Sequence, residues 1–145
     1  MNPKSLLIAI IVAFVTVWAT DFLIHGLWLS GTYHATASLW RTETEMMAKM
    51  PLMLLAQFLV AAAFTIIFAS CVAEKRCMSC TLKYSASMGI FSAAGQFMMY
   101  CVQPLPFGLA MKWVLAAIVQ ALVLGFIVHK VYKPASSPTA GAAGK

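Results

Sequence analysis

An aspartate and a histidine, Asp21 and His25, lie four residues apart inside a long apolar run near the N-terminus. Residues four apart share one face of an α-helix, so this spacing places a carboxylate beside an imidazole. Ionisable groups at bilayer depth cost about 2.5 kcal/mol or more each, and they usually face a protein interior, a partner or a water-filled path. The pair alone offers too few ligands for a metal site.

Further polar residues are expected at a similar depth. By helical rise, Gln57 lies about 9 Å below the start of its apolar run, and Gln96 lies about 9 Å from the end of its own. Three roles stay open for the resulting cluster: a hydrogen-bonded network that stabilises the helices, a path for a ligand, proton or ion, and contact with another subunit. The predicted intramembrane polar cluster comprises Asp21, His25, Gln57, Gln96, Tyr100 and Lys112.

Methionines that are expected near the outer membrane surface suggest a second possible site, one that would bind a soft metal. Met46, Met47, Met50 and Met53 precede or open the second apolar run. Thioethers at helical spacing suit Cu(I), whereas flexible packing of an apolar surface is the simpler explanation. No cofactor is predicted, and copper at these methionines is the alternative.

Two cysteines, Cys77 and Cys80, form a Cys-Met-Ser-Cys sequence in a basic connection. We expect free cytoplasmic thiols, with transient metal binding, redox chemistry or lipidation as alternatives. The sequence carries no nucleotide-binding glycine loop, nucleophile elbow or metalloprotease histidine pair. The chain is therefore predicted not to be an enzyme.

The composition predicts an integral membrane protein, since 62% of the 145 residues are apolar and only 10% are charged. Four apolar runs are long enough to cross a bilayer, which takes about 20 helical residues. The expected fold is an all-α, antiparallel bundle of four transmembrane helices in one domain, residues 1–132, followed by a flexible cytoplasmic tail, residues 133–145. The runs are Leu6 to Leu29, Pro51 to Val72, Tyr84 to Val102, and Leu109 to Val131.

Basic residues are unevenly divided between the two sides of such a bundle, seven against three. By the positive-inside rule both termini are cytoplasmic, and the first run is expected to be an uncleaved span. Anionic lipid headgroups suffice as partners for this charge, so no nucleic acid is predicted. The seven are Lys4, Lys75, Arg76, Lys83, Lys130, Lys133 and Lys145, and the three are Arg41, Lys49 and Lys112.

Small residues and an N-capping pattern predict local packing. Ser85, Gly89 and Ala93 form a four-residue stripe that lets another helix approach closely, although such residues are also ordinary in membrane helices. Thr42 and Glu45 have the spacing of a capping box and predict a short helix that runs to Pro51, which suits either the first turn of the second run or a kink between an interfacial helix and that run. Aromatic residues of the outer side, expected as an interfacial belt, are Trp28, Tyr33, Trp40, Tyr100 and Trp113.

Two stretches of the chain carry a resemblance. Asp-Phe-Leu-Ile-His-Gly-Leu-Trp-Leu-Ser-Gly-Thr-Tyr from Asp21, with Trp40 after it, and Met-Met-Tyr-Cys-Val-Gln-Pro-Leu-Pro from Met98 resemble small four-span bacterial membrane proteins of uncharacterised function. The resemblance implies four spans in a bacterial inner membrane, and it implies no catalytic residues.

Two functions are expected from these features. The first is a non-enzymatic accessory subunit that stabilises or helps to assemble a larger membrane complex, with lipid, other membrane subunits or a second copy as partners. The alternative is a small transporter or ion-handling protein that uses Asp21 and His25, with outer methionines collecting copper. A cavity beside Asp21 and His25 would favour the alternative.

Overall fold

The computed structural model describes residues 1–75 and 77–135, and this part of the chain is helical without strands, as predicted. Short 3₁₀ turns, Ala37–Leu39 and Ala73–Lys75, join some of the helices. The first helix continues as a π-helix over Phe22–Trp28. The α-helices are α1 (Pro3–Asp21), α2 (Ser30–Ala35), α3 (Glu43–Ala48), α4 (Met50–Cys71), α5 (Met78–Val102) and α6 (Phe107–Val131).

Three of the described helices are long and apolar enough to cross a membrane: α1 with its π-helical continuation, α4 and α6. Helix α5 has 25 residues, as many as α6, but it is more polar because serine, threonine and glutamine interrupt its apolar residues. Three apolar helices of this length are typical of a membrane protein.

The long helices pack in the order α4, α1, α6, α5. Helix α1 lies against both α4 and α6, and α5 packs closely along α6, whereas α4 and α5 make little contact. The hydroxyl of Tyr84 in α5 reaches across to the carbonyl of Phe64 in α4 at 2.6 Å. A cleft therefore separates most of α4 from α5.

The two ends of the described chain lie together. The backbone N–H of Lys133, just after α6, donates to the hydroxyl of Ser5 in α1 at 2.7 Å. Ser70, near the end of α4, approaches the sulfur of Met1 at 3.5 Å. One end of the bundle thus carries both ends of the described chain and the α4–α5 connection, and we call it the terminal end.

The apolar core is concentrated toward the terminal end. Alanines 9 and 13 of α1 are fully buried, and small side chains here allow α4 and α6 to come close. Aromatic rings fill the space that remains, with Phe68 contacting Tyr84, His129 and Tyr132. A cavity of about 600 Å³ lies at this end beside Phe68, His129 and Tyr132, and the cavities near Asp21 described below lie toward the opposite half of the bundle.

Small residues shape the crossing of α5 and α6. Ser85, Gly89 and Ala93 are buried there. A Cβ atom placed on Gly89 would lie 2.9 Å from the backbone of Ile118, and one placed on Gly125 would overlap Ser85, with 2.8 Å to its Cβ. The structure places the predicted small-residue stripe at this close approach of two backbones.

The connection between α1 and α4 contains more helix than the sequence predicted. The capping box is confirmed: the Thr42 hydroxyl accepts from the Glu45 N–H, and the Glu45 carboxylate accepts from the Thr42 N–H at 3.0 Å. Helix α3 ends at Ala48, however, so it does not run continuously into α4. Helix α2 was not predicted.

Two parts of the sequence-based predictions lie outside the described residues. The predicted flexible tail, 133–145, is described only to Ala135, and Arg76, one of the basic residues of the charge count, is also outside. The division of the chain into a membrane domain and a tail therefore stays a prediction.

Candidate functional site

Asp21, at the end of α1, joins three helices through its carboxylate. One oxygen accepts a hydrogen bond from the Gln57 amide of α4 at 2.6 Å, and the other accepts from the Gln120 amide of α6 at 2.7 Å. The Gln120 amide also donates to the hydroxyl of Thr20 at 2.8 Å. Both donors to the carboxylate are neutral amides, so they stabilise its negative charge without cancelling it.

Gln57 is the most buried member of this network, with 9% of its surface exposed. Its amide nitrogen is used by Asp21, but its carbonyl oxygen is buried without a hydrogen-bond partner. The amide of Gln57 thus holds the Asp21 carboxylate from α4.

A cavity of about 240 Å³ adjoins this network, and we call it the Asp21 cavity. Gln57, Gln96 and Gln120 line it together with His25. A water molecule takes about 30 Å³ in the liquid, so this polar cavity has room for several waters or a small solute. The carboxylate thus faces a space that can be filled.

A second, larger cavity of about 710 Å³ lies on the side of the α1–α4 connection. We call it the aromatic cavity, because Tyr33, Trp40 and Trp113 line it. His25 and Trp113 line both cavities, so these side chains form the boundary between them. The aromatic cavity lies on the side opposite the terminal end, and the Asp21 cavity lies beyond this boundary.

Hydrogen bonds to one tyrosine fix the side chains where the cavities meet. The Trp113 indole N–H donates to the Tyr33 hydroxyl at 2.8 Å, and this hydroxyl lies 2.6 Å from His25 Nδ1. When the hydroxyl donates its own proton to Nδ1, a neutral His25 carries its ring proton on Nε2. The Tyr33 hydroxyl therefore orients both side chains that separate the two cavities.

The π-helix determines where His25 points. The N–H of Leu29 bonds to the carbonyl of Ile24, five residues back, at 2.8 Å. Gly26 lies within this segment, and a Cβ there would be 3.2 Å from the ring of Phe22. Such segments are rare and are frequently found at functional sites.

The structure brings together four of the six residues of the predicted polar cluster. Asp21, His25, Gln57 and Gln96 line one cavity. The remaining two lie elsewhere. Lys112 donates to the hydroxyl of Thr32 at 3.3 Å, and the ring of Tyr100 contacts Phe97 and Phe107 at centroid distances of 5.8 and 5.7 Å.

Three site residues were missed by sequence reasoning. Gln120 is the one amide side chain in the apolar stretch of α6, and such a residue needs a partner in lipid, which was a usable signal. Tyr33 and Trp113 were assigned to an interfacial belt because aromatic residues near a membrane surface ordinarily lie there. No spacing in the sequence connects Tyr33 with Trp113, which is 80 residues away.

The methionines of the copper alternative do not line one cavity together. Met46 of α3 lines the aromatic cavity, whereas Met53 of α4 lines the Asp21 cavity. Met47 is exposed, and Met50 begins α4. Among the described residues, no group of three His, Cys, Asp or Glu side chains is placed to hold a metal ion. Copper binding stays a prediction.

Cys77 and Cys80 are free thiols at the terminal end. Cys77 caps the N-terminus of α5, where its sulfur accepts from the backbone N–H of Cys80 at 3.2 Å. Hydrogen bonds from the Cys80 side chain and backbone lower the pKa of the Cys77 thiol below its ordinary value. Cys77 therefore has the more reactive environment of a stabilised thiolate.

Alkylation should detect this difference. Because the pKa of Cys77 is lowered, its thiolate fraction at neutral pH exceeds that of an ordinary thiol, and we expect iodoacetamide to modify it about two- to fivefold faster than it modifies glutathione. The Cys80→Ala variant removes the hydrogen bond from the Cys80 side chain, which lowers the pKa of Cys77 most, so the pH at which the alkylation rate is half-maximal should rise. Peptide mass spectrometry of the full-length protein measures both rates, and a profile unchanged by Cys80→Ala would contradict this explanation.

Comparison of the chain with protein-family models, with curated proteins and with solved structures found no match. The resemblance to small four-span bacterial proteins therefore stays a prediction. The function has to be inferred from the geometry of the site.

Proposed function

We propose that this chain is a non-enzymatic, multi-pass protein of the bacterial inner membrane that transports a small solute or ion through a site at Asp21. One observation carries the proposal: the Asp21 carboxylate lines a cavity while neutral amides from α4 and α6 hold it in place. Intramembrane carboxylates that face a cavity commonly mark substrate, ion or proton paths.

The proposal includes four crossings of the bilayer. Helix α5 has 25 residues and is about 37 Å long, which exceeds a hydrocarbon core of about 30 Å. Its outer face is apolar, with Phe91 77% exposed and Ile90 60% exposed. With four crossings, both ends of the chain and the α4–α5 connection lie on the same side of the membrane. The excess of lysine at this terminal end makes that side cytoplasmic by the positive-inside rule.

A purely stabilising role explains the Asp21 network less well. A network that only joins helices is best served by complete hydrogen bonding and close packing. Here a cavity of about 240 Å³ opens beside the carboxylate and its two amide donors. An open polar cavity beside a charge favours a site that binds something.

Thiol labelling tests whether Asp21 is reached from outside. In a variant with its native cysteines replaced by serine, Ala56→Cys places a thiol on the wall of the Asp21 cavity, whereas Leu55→Cys places one on the adjacent exposed apolar position. We expect a membrane-impermeant cationic methanethiosulfonate to modify Ala56→Cys from outside and to leave Leu55→Cys unmodified. Equal labelling of both variants would contradict an aqueous route.

Proton movement tests transport itself. Liposomes containing the protein and the dye pyranine are given a potassium diffusion potential, and internal pH is followed. We expect Asp21→Asn to lower the initial rate about tenfold or more, because the amide cannot exchange a proton at this site. Glu43→Gln, which neutralises an exposed carboxylate in α3, is the matched control and should keep the wild-type rate. A rate that does not depend on Asp21 would contradict the proposal.

A second candidate function is an accessory subunit of a larger membrane complex. The observation that favours it is the cleft between α4 and α5, where an apolar cavity of about 250 Å³ is lined by Phe64, Met88 and Phe91. A helix of another subunit or of a second copy that covers this cleft would bury these side chains. Gentle extraction from the native membrane distinguishes the candidates, since an accessory subunit should co-purify with a partner in fixed stoichiometry.

A further inference from the structure

The aromatic cavity has a wall of three rings in mutual contact. The centroid of Trp40 lies 5.3 Å from that of Tyr33 and 6.0 Å from that of Trp113. Tyr33 is held in turn by Trp113, which donates to its hydroxyl. Three connected rings on one cavity wall form a rigid aromatic surface where the two cavities meet.

The polar atoms of the two tryptophans are already used within the protein. The Trp40 indole N–H donates to the hydroxyl of Thr36 at 2.9 Å, and that of Trp113 donates to the Tyr33 hydroxyl at 2.8 Å. The part of each tryptophan that remains available to a molecule in the cavity is therefore its ring carbons. The π-face of an indole is negatively polarised and attracts cations.

The two cavities carry charged and titratable side chains of both kinds: Asp21 supplies a carboxylate, and Arg41, His25 and His34 line the aromatic cavity. Asp21 lines the adjoining cavity and is bonded by neutral amides, so its charge is available to a cation. Arg41 lies on the wall of the aromatic cavity, and its side chain is exposed. The pKa of the Glu45 carboxyl is lowered mainly by hydrogen bonds from Thr42, and the nearby charge of Arg41 lowers it further. Water and Glu45 thus offset the positive charge of Arg41.

We propose that the aromatic cavity and Asp21 together bind a small organic cation with a quaternary ammonium group. The rings of Tyr33, Trp40 and Trp113 supply the cation–π surface, and the carboxylate supplies the counter-charge one cavity deeper. This inference rests on the proposed function, since it names the chemical class of the solute that this site admits.

Choline and 3,3-dimethylbutan-1-ol provide the sharpest test, because they share a shape and differ in charge. Binding of each to the full-length protein in nanodiscs is followed by saturation-transfer NMR and by tryptophan fluorescence. We expect choline to bind at least about tenfold more tightly than the neutral alcohol. Trp40→Leu and Trp113→Leu should each weaken choline binding about 3- to 30-fold, the range expected for one cation–π contact. Asp21→Asn should also weaken it, because the counter-charge is lost.

Trp28→Leu is the matched control, since Trp28 is 51% exposed and lines neither cavity, and it should leave choline binding unchanged. Trp40→Phe and Trp113→Phe keep a ring and should retain part of the affinity, which guards against variants that misfold. Equal binding of the two ligands, or choline binding that is insensitive to Trp40 and Asp21, would overturn the inference. Absence of choline binding together with Asp21-dependent proton movement would overturn this inference alone and leave the proposed function standing.

Discussion

Replacing Gln57 and Gln120 together by leucine is expected to lower the free energy of unfolding by about 3–5 kcal/mol, because it removes both amide hydrogen bonds to the Asp21 carboxylate, and a hydrogen bond to a charged group contributes about 1.5–3 kcal/mol. Adding Asp21→Leu removes the charge that has lost these partners. We expect the triple variant to be as stable as the wild type or more stable, since apolar residues often replace buried polar networks without loss. The same variant should show no proton movement.

Unfolding by sodium dodecyl sulfate in mixed micelles, followed by circular dichroism, measures these free energies. Gln96→Leu is the matched control, because Gln96 lines the same cavity while the two hydrogen bonds to Asp21 come from the other glutamines. Its effect should stay below about 1 kcal/mol. A triple variant that is several kcal/mol less stable than the wild type would show that the network mainly stabilises the fold, and it would contradict a binding role.

Changing Gly125 to alanine is expected to lower the free energy of unfolding by about 2 kcal/mol, because the added methyl group overlaps Ser85 where α5 and α6 cross. The backbones cannot separate without losing the contact along both helices. Gly95→Ala in α5 is the matched control, since a Cβ there meets nothing within 4 Å. Alanine favours helix over glycine, so this control should be neutral or stabilising by about 0.5–1 kcal/mol.

A compensating change makes the Gly125 prediction specific. Ser85→Gly removes both side-chain atoms that the new methyl group would meet, so the double variant should recover most of the lost stability. The same micelle titration provides the comparison. Equal stability of Gly125→Ala with and without Ser85→Gly would show that the crossing is not limited by this contact.

The depth of polar residues in the membrane could be predicted from the sequence, but the direction in which their side chains point around the helix axis could not. Helical rise placed His25, Gln57 and Gln96 in one layer with Asp21 one turn deeper, and all four line one cavity. Lys112 was assigned to the same layer and lies on another side of its helix, where it bonds Thr32. Packing against neighbouring helices sets the rotation of a helix about its axis. The sequence periodicity of a helix that is apolar all round does not indicate which face packs inward.

The small-residue stripe illustrates the same limit. Ser85, Gly89 and Ala93 indicated that some helix comes close, but not which one. The partner is α6, and Gly125 on it became recognisable only when both backbones were in place. The α2 helix was missed because a six-residue segment carries too little periodicity to be read.

The π-helix has a consequence for the row of residues spaced by four along the first helix: Ala9, Ala13, Val17, Asp21, His25 and Leu29. On an α-helix each four-residue step advances about 40° beyond a full turn, so such a row drifts around the axis and would leave its neighbours. The wider π turn rotates less per residue, and it reverses this drift after Asp21. Ala9, Ala13, Val17 and Leu29 of this row are buried, whereas His25 is exposed toward the aromatic cavity. The phase of the helix thus changes just after Asp21, and losing a single residue from 22–24 would turn His25 out of register with Asp21.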